Sequence, residues 1–143
     1  MSWLAMALFT LWCGLLVYFD VTRLKLPNVL TLSGAALVCG FGFADGRGTV
    51  VVIGGVLLAA IYLLVHLAAP TAMGAGDVKL ALSLGGVAAL GGPDVWLWAA
   101  ILAPLGTATA GVVLLARNRR VGRTVVPHGP FMCGATLLAL VVS

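Results

Sequence analysis

The chain has 143 residues, 62% hydrophobic and 8% charged, with a formal net charge of +4 and a mean hydropathy of +1.19. Eight Lys or Arg and four Asp cannot coat a domain of this length in polar surface, so a water-soluble fold is excluded and the solvent is largely lipid. The apolar runs are continuous and do not alternate, which excludes a β-barrel and leaves helices as the way across a membrane.

A spanning helix needs about 20 apolar residues, with a lower limit of about 17. Six apolar segments are predicted to be helical: Trp3–Phe19, Val29–Ala44, Thr49–Ala69, Asp77–Gly92, Val95–Ala116 and Gly129–Val142. The fourth and sixth are short, which calls for tilt, an earlier start or local thinning of the bilayer. The fold class is therefore all-α, a polytopic bundle of about six transmembrane helices forming one domain over residues 1–143. The first segment lacks a basic flank, and Asp20, Thr22 and Arg23 follow it where a small-residue cleavage site would stand, so it reads as a retained helix.

Charge placement orients the bundle. With both termini outside, the inner loops and their margins hold Arg23, Lys25, Lys79, Arg117, Arg119, Arg120 and Arg123, against Arg47 alone outside. That bias follows the positive-inside rule. The Arg117–Arg123 cluster reads as a topological anchor that attracts anionic lipid, in preference to a nucleic-acid site. Cys13, Cys39 and Cys133 lie inside predicted spans, form no CxxC, and read as isolated packing residues without zinc or a disulfide framework. On the fifth segment Ala103, Thr107 and Gly111 make a small-residue face for close helix packing, and Pro104 removes a backbone donor.

There is no Glu, so carboxylate chemistry rests on four Asp. Asp45 and Asp94 fall in Gly- or Pro-flanked outer turns, where Asp is commonplace. Asp20 and Asp77 fall where apolar segments meet the basic inner loops, and an acid at a membrane boundary is costly enough to be a functional hypothesis. An Asp before an apolar run ordinarily caps a helix. Asp77, however, lies just beyond Gly74 and Gly76, which strip side chains from the approach and permit unusual backbone angles. Asp20, following the first helix, opposes the helix dipole there and lies close to Arg23. Two carboxylates sharing one site hold one proton between them, so the ionised member can deprotonate a water while the other polarises a peptide carbonyl. Helix ends then favour charge on Asp77 and the proton on Asp20, the two titrating as a unit.

Three segments carry a family resemblance. Gly74-Ala75-Gly76-Asp77-Val78-Lys79 resembles the GxGDxK signature of the type IV prepilin peptidases, which are GxGD intramembrane aspartyl proteases. Asp20 through Pro27-Asn28 is similar to that family's first-aspartate segment, and Val126-Pro127-His128-Gly129-Pro130-Phe131 to its P-x-G-P element before the last helix. The resemblance implies a hydrolase of the bacterial cytoplasmic membrane that removes short basic leaders from type IV pilin-like precursors at the cytosolic face. Asp20 and Asp77 would be its catalytic pair, water the nucleophile, and no metal or organic cofactor would be needed. Gly74, Gly76 and Lys79 would belong to the active-site loop, and Pro27, Asn28, Pro127, Gly129 and Pro130 to substrate contact or local structure. Larger members carry a cytosolic insertion with paired CxxC motifs and methylate the new N-terminus. This sequence has neither, so N-methyltransferase activity is not expected, and the compact form looks like the peptidases that serve Flp/Tad-type pili and secretion.

Lys79 is also suited to snorkelling toward the interface. His66 reads as a packed or interfacial side chain, and His128 stands where the family more usually has an aromatic and is assigned no role. From the residues alone two rival classes stay open. One is a small proton- or ion-coupled transporter lined by the same acids; the other is a non-catalytic assembly partner of a pilus machine.

Overall fold

The structure is a computed structural model, and it describes residues 3–23, 26–70, 73–117 and 127–143. Lys25, Arg119, Arg120, Arg123 and Val126, which enter the charge and motif readings above, lie outside the described residues, as do Leu24, Thr71 and Ala72. Among the described residues there are six helices and no strand. They are α1 (Trp3–Arg23), α2 (Asn28–Ala44), α3 (Gly48–Ala68), α4 (Ala75–Gly91), α5 (Pro93–Arg117) and α6 (Gly129–Val142).

The chain is an all-α membrane protein. Three stretches are long and apolar enough to cross a bilayer: Trp3–Arg23, Gly48–Ala68 and Pro93–Leu114. The first two have 21 residues each, about 31 Å of helix against a hydrocarbon core of about 30 Å. Asn28–Ala44 and Gly129–Val142 are shorter apolar helices. Large apolar side chains such as Leu8, Leu37, Leu64, Leu67 and Val112 are exposed, which lipid tolerates and water would not. No buried side-chain nitrogen or oxygen among the described residues lacks a hydrogen-bond partner, as a low-dielectric surrounding requires.

The predicted helices are recovered with shifted ends. α1 runs on through Arg23, so Asp20 lies inside its last turn and does not follow it. α4 starts at Ala75, which makes Asp77 the third helical residue and Gly74 the N-cap. Asp94 belongs to the first turn of α5, and Asp45 caps the C-terminus of α2. Gly92, at φ 118°, turns the chain sharply between α4 and α5, and Pro93 opens the new helix without a backbone donor to leave unpaired.

The fourth helix is the axis of the bundle, packing against α2, α3, α5 and α6. It is buried almost all round from Leu80 to Ala89, which is why it shows little amphipathic patterning. Its closest neighbour is α3. A Cβ added at Gly85 would come within 2.5 Å of Gly54 O, and one at Gly55 within 2.5 Å of Leu82 O, so the two backbones touch through glycine. The small-residue face expected on α5 is only partly used: Ala103 is buried, but nothing lies within 4 Å of a Cβ placed at Gly111. Side-chain donors tie the remaining helices to backbone oxygens. Ser83 Oγ donates to Thr31 O at 3.2 Å, Trp96 Nε1 to Gly54 O at 3.0 Å and Trp12 Nε1 to Leu30 O at 3.1 Å.

The first helix leans on α6. Cys13 and Cys133 are both buried there and lie within interaction range of each other, so these two cysteines are neighbours in the fold and not isolated.

Candidate functional site

Asp20 reaches the interior because it continues the buried stripe of α1. Phe9, Cys13, Leu16 and Asp20 recur at helical spacing and all face inward. Its Oδ2 accepts the N–H of Gly129 at 2.9 Å, a residue 109 positions away in the chain. That N–H is free to point outward because α6 is just beginning. Pro130 has no N–H, and Phe131 and Met132 both donate to His128 O. A Cβ on Gly129 would stand 2.7 Å from Asp20 Oδ2, so the contact requires glycine.

Asp77 is buried at the N-terminus of α4, and its Oδ2 accepts the Gly74 N–H at 3.2 Å. This is the acidic half of a capping box, in which the third helical residue reaches back to the N-cap nitrogen. Asp77 therefore serves helix initiation and is also presented to the interior. Gly74 has φ −77° and ψ 149°, angles open to any residue, so the expected special backbone is not needed there. Gly76 matters for space: a Cβ there would meet Leu26 Cβ at 3.2 Å.

The two acids, one on α1 and one on α4, are 7% and 8% exposed and lie within electrostatic reach of each other. Both also lie at helix N-termini, Asp77 at that of α4 and Asp20 across from that of α6. Helix ends alone therefore no longer separate the two acids cleanly, because Asp20, though in the last turn of α1, also faces the first N–H of α6.

Three further polar side chains gather at the same end of the bundle, and sequence reasoning gave none of them a role. Tyr62 and His66, both on α3, lie within electrostatic reach of Asp77. His66 Nδ1 donates to Met73 O at 2.8 Å and so ties the end of α3 to the segment leading into α4. His128, immediately before α6, is buried; its Nδ1 bonds Thr107 Oγ1 and its Nε2 lies 3.3 Å from Tyr62 Oη. The only sequence signal for Tyr62 and His66 was their four-residue spacing on one helix face, which apolar neighbours hide.

The other expected site residues stand around this centre. Lys79 Nζ donates to Asn28 Oδ1 at 2.8 Å, joining α4 to the start of α2, so the lysine has a partner beyond the snorkelling expected of it. Pro27 is the N-cap of α2, and its oxygen accepts from Leu30 and Thr31. Pro127 and Pro130 flank the His128–Gly129 pair. Among the described residues no group of three or more His, Cys, Asp or Glu is arranged to hold a metal ion.

Such a site, with two mutually interacting carboxylates at a bundle end and backbone donors trained on each, can share a proton and hold a water between acid and base. Among known proteins, the model of the type IV leader peptidase family matches residues 7–105, a stretch that includes Asp20 and Asp77. No curated protein and no solved structure matches the chain.

Proposed function

Since the chain belongs to the type IV leader peptidase family, we propose that it is an aspartic endopeptidase that removes the short basic leader of type IV pilin-like, Flp/Tad-type precursors. The reaction takes place at the cytosolic face of a bacterial inner membrane, with both termini of the bundle outside. Asp20 and Asp77 are the catalytic pair: one carboxylate takes a proton from water as the other, protonated, donates to the scissile carbonyl. The observation that supports this reading is the burial of two acids, on α1 and α4, within electrostatic reach of each other in a largely apolar bundle.

The remaining residues take supporting parts. Gly129 orients Asp20, Gly74 orients Asp77, and Gly76 leaves room for Leu26 beside the active-site loop. The Lys79–Asn28 contact, with Pro27, holds the start of α2 against α4 where a precursor would arrive. The cysteines form no CxxC, and the proposal is peptide cleavage without methyl transfer.

The test is co-expression with candidate pilin-like precursors, scoring leader removal by mass spectrometry. Cleavage by the wild type, abolished in both Asp20→Asn and Asp77→Asn, is the expected outcome. Processing that survives either substitution rejects the catalytic pair. Solute movement in proteoliposomes without cleavage of any precursor would favour a transporter using the same acids.

A further inference from the structure

His128 touches both halves of the aspartate site by different routes. Its peptide leads directly into Gly129, whose N–H holds Asp20. Its ring reaches Tyr62, 4% exposed and within electrostatic reach of Asp77, with ring centroids 5.5 Å apart. One assignment of protons satisfies every group in this chain of contacts. Thr107 Oγ1 has one hydrogen, and Ala103 O, 3.0 Å away, can only accept it. Thr107 then accepts from His128 Nδ1–H, leaving Nε2 as the acceptor for the Tyr62 hydroxyl. In that assignment each donor has an acceptor, and the ring of His128 is held from α3 and α5 at once.

We propose that Tyr62 and His128, fixed by Thr107, are positioning residues that clamp the spacing and proton sharing of the Asp20–Asp77 pair from α3, α5 and the start of α6. The inference rests on the reading of those two acids as the catalytic pair. Besides Asp20 from α1, the titratable groups facing Asp77 are Tyr62 and His66 from α3. The clamp acts on Asp20 through the Gly129 N–H that follows His128, whereas His66 is engaged with Met73 O. Gln at position 128 extends far enough to replace Nε2 toward Tyr62, whereas Asn replaces only Nδ1 toward Thr107, so the two variants separate the clamp from simple packing.

Two measurements test it, one of them independent of activity. In purified protein titrated by infrared spectroscopy, the carboxyl band absent from Asp20→Asn should have its midpoint moved by about half a pH unit or more in Tyr62→Phe and in His128→Asn, as the Gly129 N–H that it accepts is displaced. An unmoved midpoint in both variants overturns the proposal. In the cleavage assay, His128→Gln should keep kcat within about threefold of wild type. Tyr62→Phe and His128→Asn should lower it about tenfold with KM unchanged. Equal losses in Gln and Asn, or losses confined to KM, overturn it as well. Should wild type cleave no precursor, the peptidase reading fails on its own, and the infrared titration still decides whether Tyr62 and His128 govern the acids.

Discussion

Gly129 and Gly74 each give an N–H to a buried aspartate, yet they should answer very differently to alanine. A methyl on Gly129 would sit 2.7 Å from Asp20 Oδ2, displacing the carboxylate and breaking a charge-assisted bond. Such a bond is worth about 1.5–3 kcal/mol, so Gly129→Ala should reduce leader cleavage by about 10- to 100-fold, measured as kcat with the helical circular dichroism unchanged. At Gly74 the nearest atom to a new Cβ is Asp77 Oδ2, at an ordinary 3.5 Å, and the backbone angles suit any residue. Gly74→Ala should therefore change thermal unfolding stability by less than about 0.5 kcal/mol in detergent. Both acids were legible in the sequence as carboxylates at the ends of apolar runs. What held them was not. The N–H that binds Asp20 comes from a backbone far along the chain, and backbone donors leave no mark in the residue types. His128 was legible only as an oddity, since its two partners, Thr107 and Tyr62, sit on helices whose relative rotation no single segment specifies.

The helices were legible because each is a long apolar run bounded by Gly, Pro or charge; their ends were less so. The sequence predicts that α1 stops at Phe19, since Asp20 is the first charged residue after the apolar run. The buried stripe of Phe9, Cys13 and Leu16 shows why it continues: the next inward position is Asp20, and an acid with a partner can stay in the stripe. Helix packing was misplaced for a related reason. Small residues occur on α3, α4 and α5 alike, and only the fold determines which face meets a neighbour. Close packing belongs to α3 and α4, so Gly85→Val should destabilise the protein by about 1–3 kcal/mol, since its Cβ would meet Gly54 O at 2.5 Å. Gly111→Val, on the open face of α5, should be nearly neutral in the same unfolding measurement. The contact of α1 with α6 makes a covalent prediction. In a Cys39→Ser background, oxidation with copper phenanthroline should join Cys13 to Cys133, visible by mass spectrometry as one linked pair of peptides.

For the molecule as a whole, composition was sufficient to place it in lipid, and the spread of Lys and Arg gives a threading that can be checked directly. In a cysteine-less variant of intact cells, Arg47→Cys should react with a membrane-impermeant thiol reagent, whereas Asn28→Cys should react only after the membrane is opened. The reverse pattern would invert the bundle and put the aspartates on the wrong side for a cytosolic leader. The bond from Gly129 to Asp20 has a consequence in time. A ribosome delivers α1 first and α6 only after the other five helices have been made, so the nascent chain carries Asp77 into the bilayer while Asp20 still lacks its backbone donor. Hydrolytic competence would then arrive as a late event of biosynthesis, and a partly translated protein would hold both acids without being able to cut its neighbours.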